Sequence, residues 1–537
     1  MESGVRAARW DVAGGQSFHG TCYTAGMLRP PPGLPKLAAA FTLSLLCLAA
    51  VGCAPKKLTA IDHLKPCAAT DGFGDAYCGT YDVWEDREAK SGRKISLRIV
   101  VLPALKQHPA PDPLFFLAGG PGQGAASLAG AVKDAFRPVQ TQRDIVFVDQ
   151  RGTGKSNPLN CKPTDAEAKA EEDEEDQDSA SPVMLNRLRA CVDKLKDKAD
   201  LTKYTTTIAM DDLDDVRKFL GYDKINLYGG SYGTRAAFVY ARQHAANTRA
   251  VILDGVAPTD MALPLYMARD GQRAIDLLVR DCEKDSGCAK RFPKLGERIK
   301  ALISGLAAHP RKIHYTNPRT GIEADMDVRS AVVSGVLFSI LYSPTSASLL
   351  PLLVEQAEKG NYGGLLSIGA AFDPTAEGMA MGMHFSVVCA EDAPRINADA
   401  IAKVAAGSVF GTDIADLRLK VCQFWPKGKV DPAYYDTTPS DLPTLILSGE
   451  LDPVTPPGWG QQVADKWKNA RHVVVPGNGH GAILTGCVLK LASSFLDTAD
   501  ASKLDTGCVN KVKRAPFFLG PSGPDPMAGM TAKADQK

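Results

Sequence analysis

Short, nearly uninterrupted apolar runs set the rhythm of this chain: Leu114 to Leu117, Ile145 to Val148, Ile225 to Tyr228, Val251 to Leu253, Thr444 to Leu447 and Val473 to Val475. Runs of that length read as strands buried on both faces. Between several of them lie segments of helical length and spacing, such as MDDLDDVRKFLG before Tyr222 and TRAAFVYARQHAA after Gly233. Strand and helix in alternation predict an α/β fold, a mostly parallel sheet flanked by helices. Ahead of it, TYDVWEDREAKSGRKISLRIVVLPAL predicts a hairpin turning around Lys90-Ser91-Gly92. From about Asp260 to Asp431 the strand rhythm stops and helical patterns such as VRSAVVSGVLFSILY take over, predicting a mainly helical cap inserted between two sheet strands. The core is then expected over 79–259 and 432–517, and the cap over 260–431. The acidic run between Glu167 and Asp178 reads as a solvated loop, and the tail, 518–537, as disordered.

The N-terminal pattern differs. In MLRPPPGLPKLAAAFTLSLLCLAAVGC, Arg29 and Lys36 precede an apolar run from Leu37 to Val51, the layout of a secretory signal over 27–52. Gly52 followed by Cys53 resembles a bacterial lipobox, whose cysteine is lipidated; Ala50 stands where that pattern prefers Leu. The expectation is an envelope protein anchored by lipid on Cys53, with 53–78 as tether. Translation is expected to start at Met27, leaving 1–26 outside the native product. A cleaved signal and an uncleaved anchor helix are the alternatives.

Composition changes this picture only through cysteine. The 537 residues are 45% hydrophobic with a formal net charge of +1, ordinary globular material with no electrostatic case for nucleic acid. Of 13 cysteines, ten remain after Cys22, Cys47 and Cys53 are set aside, an even number that suits an oxidising compartment. Pairing neighbours along the chain would give five short loops, with Cys161–Cys191 closing the acidic loop and Cys389–Cys422 tethering the cap, although spacing alone leaves the connectivity open. No C-x-x-C pair or H-E-x-x-H suggests a metal.

Two glycine-rich stretches carry the candidate chemistry. LFFLAGGPGQGA, from Leu114 to Ala125, imitates a dinucleotide-binding G-x-G-x-x-A after a strand. GTGKS, from Gly152 to Ser156, imitates a phosphate loop but has Asp149 where the leading glycine is required; it reads as a tight turn with Arg151 structural. Gly229-Gly230-Ser231-Tyr232-Gly233 is a G-x-S-x-G between predicted strand and predicted helix, the context of a nucleophile elbow. A serine nucleophile needs a base, and the base an orienting acid, in the chain order Ser, Asp or Glu, His. Asp452 and His480 each follow a late strand, where strand ends converge on the elbow. Asp254 competes for the acid; His472 begins its strand and is expected to point away. Such a triad makes an oxyanion, for which the N–H of Tyr232 and one from the GGPG loop would be donors. That role displaces the dinucleotide reading.

GGPGQG, DQRGTGKSNP, YGGSYGTR, LDGVAP, GELDPVTP and GNGHG, in this order from about Tyr81 to Cys508, resemble the α/β-hydrolases of the prolyl iminopeptidase and tripeptidyl aminopeptidase kind. The resemblance implies a serine exopeptidase acting on peptides with free N-termini through an acyl-enzyme, with a helical cap and no cofactor. It also implies Gly120 as the second oxyanion donor. Ala118 replaces the histidine of the simpler iminopeptidases' HGGPG, which shifts the likeness toward the tripeptidyl branch. An exopeptidase must hold an α-ammonium group, and Glu391 and Asp392, beside Cys389, are candidate amine anchors; a solvated turn or a pair with Arg395 is the plainer reading. A carboxylesterase using the same triad, and a catalytically silent binding protein, are the competing functions.

Overall fold

Each apolar run named above forms a strand. A computed structural model describes residues 60–161, 181–316, 321, 323–371, 378–437 and 440–524. The signal segment, Cys53, the acidic run and the end of the tail lie outside the described residues.

The main sheet contains β1 (Lys65–Pro66), β2 (Tyr77–Trp84), β3 (Lys94–Leu102), β4 (Leu114–Leu117), β5 (Ile145–Val148), β6 (Ile225–Gly230) and β7 (Thr248–Asp254). After a small separate hairpin, β8 (Arg311–Thr316) and β9 (Glu323–Val328), it is completed by β10 (Thr444–Gly449) and β11 (Ala470–Val475). The spatial order is β1-β2-β3-β5-β4-β6-β7-β10-β11. The pairs from β1 to β5 are antiparallel, and those from β5 through β4 to β11 are parallel. The predicted hairpin is β2–β3, and its turn places Lys90 and Gly92 at positive φ.

Alternation of side chains about each strand explains why the runs are apolar throughout. Phe115 and Leu117 enter the core on one face of the sheet, while Leu114 and Phe116 enter the core on the other. Phe116 there meets Phe136, Phe147 and Tyr228 with ring centroids 4.7–5.7 Å apart. A strand with no solvated face has no position for a polar side chain unless a partner is supplied, as Asp112 is for Asn226.

The helices that matter for the site are α1 (Thr206–Phe219), α2 (Tyr232–Gln243), α3 (Met267–Lys284), α4 (Ser330–Ile340), α5 (Met381–Glu391), α6 (Asp413–Cys422) and α7 (Val488–Thr498). Helices α3 to α6 lie in the segment between β7 and β10, and α3 and α4 contribute to an apolar core of their own, around Leu278, Ile299, Leu337 and Leu350. The hairpin β8–β9 interrupts that otherwise helical segment. Its strands, RKIHYT and EADMDV, alternate charged or polar residues with apolar ones, so no continuous apolar run announces them.

Five disulfides pair neighbours along the chain: Cys67–Cys78, Cys161–Cys191, Cys282–Cys288, Cys389–Cys422 and Cys487–Cys508. Cys389–Cys422 ties α5 to α6.

Candidate active site

Ser231 occupies the single residue between β6 and α2, with φ 55 and ψ −124. A non-glycine residue at positive φ costs about 1–3 kcal/mol and persists only where its surroundings enforce it. Here a Cβ on Gly229 would lie 2.3 Å from the Gly233 carbonyl oxygen, and one on Gly233 would lie 2.2 Å from the Leu117 oxygen. Both flanking glycines are therefore required by the sharpness of the turn. The Ser231 N–H donates to the Asp254 carbonyl at 2.8 Å, which pins the turn to β7.

Beside it runs the GGPG loop. A Cβ on Gly119 would lie 3.3 Å from the Ser231 Cβ, so the loop leaves no room for a side chain between itself and the serine. Gly120 has φ 110 and Gly122 φ 116, conformations open to glycine. The Gly122 carbonyl accepts from Ala380 N–H at 3.0 Å, docking the start of α5 on the loop. Among the described residues, no group accepts from the N–H of Gly120 or from that of Tyr232, the first residue of α2.

Asp452 and His480 meet across the ends of β10 and β11. His480 Nδ1 is 2.8 Å from Asp452 Oδ2. The carboxylate is fully buried, and it also accepts from Val454 N–H, Thr455 N–H and Thr455 Oγ1–H, each at 2.8 Å. Burial alone would push its pKa up, but His480 and these donors outweigh burial and hold it below the usual carboxylate range. For His480, burial pulls the pKa down, and the charge and hydrogen bond of Asp452 together with the charge of Asp254 more than offset that, leaving it raised. The His480 N–H donates to the Tyr342 carbonyl at 2.9 Å, and the two rings meet edge to face at 5.1 Å. A Cβ on Gly255, which follows β7, would lie 3.2 Å from His480 Cε1. The imidazole thus sits against the strand end that anchors the Ser231 turn.

The competing residues are engaged elsewhere. Asp254 accepts from Ala482 N–H at 2.7 Å, Ile483 N–H at 3.0 Å and Tyr228 OH at 3.1 Å, so it fixes the loop after His480 without a hydrogen bond to the imidazole. His472 lies 2.9 Å from Ser448 Oγ and 3.1 Å from Gln461 Oε1, and burial lowers its pKa to about 4. Arg151 is fully buried against Asp212 and the carbonyls of Trp84, Glu85 and Lys203, a brace within the turn after β5.

A family model described as the alpha/beta hydrolase fold matches residues 112–279, and one described as TAP-like protein matches residues 407–508. The chain has the α/β-hydrolase fold. It is similar to the serine protease Hip1 of Mycobacterium tuberculosis, with 25% identity over 79% of this chain and 85% of that protein. It is also similar to the putative hydrolase YuaR of Escherichia coli, with 22% identity over 73% of this chain and 78% of that one. The proline iminopeptidase of Neisseria gonorrhoeae matches at 28% identity over 28% of this chain and 34% of its own. These likenesses, with the fold, make the protein a serine hydrolase.

In this hydrolase the proposed amine anchors are turned inward, which corrects the sequence expectation. Glu391 and Asp392, where α5 ends, are both fully buried. Glu391 accepts from Thr206 N–H at 2.7 Å, from Thr206 Oγ1–H at 2.9 Å and from the Tyr434 hydroxyl. Because Thr206 gives its hydroxyl proton to Glu391, the Tyr232 hydroxyl must be the donor in its 2.6 Å contact with Thr206 Oγ1. Asp392 accepts on both its oxygens from Arg235 Nη1, at 3.0 and 2.9 Å, from Leu263 N–H at 3.1 Å and from Arg395 Nη2 at 3.3 Å, the pair with Arg395 that was the plainer reading of the sequence. Burial raises the pKa of both acids, against Arg235. Their oxygens are thus committed to donors of the protein itself, with neither carboxylate exposed.

Thr455 is a residue the sequence reading passed over. It contributes two of the four hydrogen bonds on Asp452 and its hydroxyl stands 3.2 Å from His480 Nδ1. The signal was present in GELDPVTP, where a hydroxyl three residues after an aspartate can fold back on it.

Proposed function

We propose that this hydrolase is a serine peptidase that releases residues from peptide N-termini through an acyl-enzyme. The observation that carries the reading is the 2.8 Å contact of His480 Nδ1 with Asp452, set beside a serine held at φ 55. With Nδ1–H committed to the carboxylate, Nε2 is the nitrogen that accepts the Ser231 proton as the hydroxyl attacks the scissile carbonyl. The N–H groups of Gly120 and Tyr232 take the oxyanion; losing one such donor raises a barrier by about 2.7–4 kcal/mol. His480 then returns the proton to the leaving amine, and water repeats the sequence on the acyl-enzyme.

The peptide substrate class comes from the relatives named a serine protease and a proline iminopeptidase. Preference for a free N-terminus comes from the motif resemblance. Five disulfides suit a protein working outside the cytoplasm. No described helix is long and apolar enough to cross a membrane, and lipid on Cys53 would hold the enzyme at the envelope.

The test uses soluble protein truncated after Cys53, assayed on aminoacyl and tripeptidyl amides, their N-acetylated forms and simple esters. Free amides are expected to turn over and blocked ones to fail, with Ser231→Ala abolishing all activity. Equal rates on blocked and free substrates would remove the exopeptidase reading. Full activity of Ser231→Ala would remove the mechanism.

A further inference from the structure

A helix of the insertion begins directly on the GGPG loop. Its N-cap, Ala380, donates its N–H to the Gly122 carbonyl at 3.0 Å, and a Cβ on Gly122 would lie 2.8 Å from the Ala380 oxygen, so loop and helix start are packed backbone against backbone. About one turn further along α5, His384 brings Nδ1 to 3.3 Å from the Pro121 carbonyl. The two residues that follow Gly120 therefore both give their carbonyls to α5. The helix start is itself held from another side: Gly382 N–H donates to the Leu159 carbonyl at 2.8 Å, and a Cβ on Gly382 would lie 2.5 Å from that oxygen. It is a fixed support for the loop.

The chemistry of the ring singles out this contact. A carbonyl only accepts, so Nδ1 carries the proton. Burial, with the charge of Arg418 on α6, lowers the imidazole pKa to about 3, so the ring is neutral and Nε2 is a bare acceptor. That nitrogen is buried and has no partner among the described residues. An unsatisfied acceptor in the interior carries a cost that an apolar ring in its place would not. What the imidazole supplies there, and a phenyl group would not, is the bond to the loop. The loop has little stiffness of its own, because three of its four residues are glycine. The far end of α5 reaches the other donor residue: Glu391 accepts from Thr206, whose hydroxyl oxygen accepts from Tyr232 OH.

We propose that His384 is a positioning residue for the oxyanion hole: its Nδ1–H holds the Pro121 carbonyl against α5 and so fixes the loop that presents the Gly120 N–H. A carbonyl drawn onto α5 cannot swing toward the donors of its own loop, where it would compete with the developing oxyanion. The insertion between β7 and β10 thereby forms part of the framework of the reaction centre. This inference rests on the serine mechanism proposed above, with Gly120 as a donor, and on no particular substrate.

The experiment uses full-length protein with three substitutions. His384→Asn puts an amide nitrogen on Cγ, where Nδ1 stands; His384→Gln carries the same amide one carbon further; His384→Phe keeps a ring without a donor. For each, kcat and KM are measured on the amide or ester that the wild type turns over fastest, with inhibition by the matching aldehyde and alcohol. Ser231 adds to the aldehyde carbon as its proton passes to His480 and the carbonyl electron pair to oxygen, so the aldehyde fills the hole; the alcohol has no carbonyl. In the Phe and Gln variants kcat should fall about tenfold with KM held, less than the roughly 10²–10³ for deleting a donor, because the N–H is displaced and not removed. Aldehyde binding should weaken by the same factor and alcohol binding stay unchanged, and the Asn variant should recover most of both losses. Should the Phe variant not fold, the Asn and Gln pair alone carries the comparison. Unchanged kcat in the Phe and Gln variants, equal weakening of aldehyde and alcohol, or a Gln variant as active as the Asn one would overturn the proposal. Labelling of wild-type Ser231 by a fluorophosphonate separates the two readings: labelling with His384 variants that behave as wild type sinks this inference alone, whereas failure to label sinks the serine mechanism and this inference with it.

Discussion

Asp452 and the Glu391–Asp392 pair are buried to the same degree, yet they serve opposite ends. Asp452 spends its hydrogen bonds on its own turn and on His480, an imidazole that keeps 13% of its side-chain surface accessible. The pair spends its bonds on Thr206, Tyr434, Arg235, Leu263 and Arg395, structural donors and guanidiniums of which only Arg395 and Leu263 reach toward solvent. The electrostatic outcome differs in sign as well: donors outweigh burial at Asp452 and lower its pKa, while burial prevails at Glu391 and Asp392 and raises theirs. A buried carboxylate thus serves a reaction centre when it holds a titratable imidazole that still faces solvent, and braces the fold when its partners are backbone donors, hydroxyls and guanidiniums. The pair is not remote from the chemistry, since Glu391 reaches Tyr232 through Thr206. Its effect on the nucleophile passes through the shape of the turn.

The largest break in this comparison comes from Asp452→Asn. An amide cannot hold His480 in the tautomer with its proton on Nδ1, and a drop of roughly 10⁴ in kcat is expected. The pH profile gives the sign. Against burial, the Asp452 charge and hydrogen bond, with a smaller contribution from Asp254, keep the His480 pKa raised, so removing the Asp452 charge lets that pKa fall. The base is active when neutral, so the acid limb of the residual activity moves to lower pH. A limb that stays in place would show that another group sets it.

Asp392→Asn strikes the other network. It leaves the buried Arg235 charge without its anion, and breaking a buried pair from one side costs about 3–5 kcal/mol. Denaturant unfolding should record that loss, while the acid limb of activity keeps its wild-type position because His480 and Asp452 are untouched. A shift of the limb would mean the two networks are coupled and the comparison too clean.

The two networks were not equally legible beforehand. The parallel strands announce themselves as apolar runs, and in such a sheet the carboxyl ends of the strands gather on one edge. Ser231, Asp452 and His480 each follow a strand directly, so order along the chain was enough to bring them together. Glu391 and Asp392 sit where a helix in the insertion ends, and their partners Thr206 and Arg235 are 185 and 157 residues away. No local pattern distinguishes a carboxylate with such partners from a solvated one. The β8–β9 hairpin has a different signal: its apolar residues Ile313, Tyr315, Met326 and Val328 alternate with charged and polar ones, so it lacks the continuous apolar run of the buried parallel strands.

The smallest and most discriminating change is Thr455→Val, which keeps the side chain's shape and removes one hydroxyl. That hydroxyl donates to the same oxygen, Asp452 Oδ2, that holds His480. A hydrogen bond to a charged group contributes about 1.5–3 kcal/mol. Part of this positions the carboxylate, so kcat should fall roughly tenfold, about 1.4 kcal/mol of barrier. Thr455→Ser should recover most of it. The pH response separates positioning from simple damage. With one donor gone, the Asp452 charge is less satisfied and attracts the His480 proton more strongly, so the acid limb moves to higher pH, opposite to Asp452→Asn. Damage that loosened the dyad would weaken the same attraction and move the limb the other way. Opposite shifts from two substitutions on one carboxylate would identify Thr455 as the residue that tempers the acid, a function that the interior pair, with no imidazole to serve, has no use for.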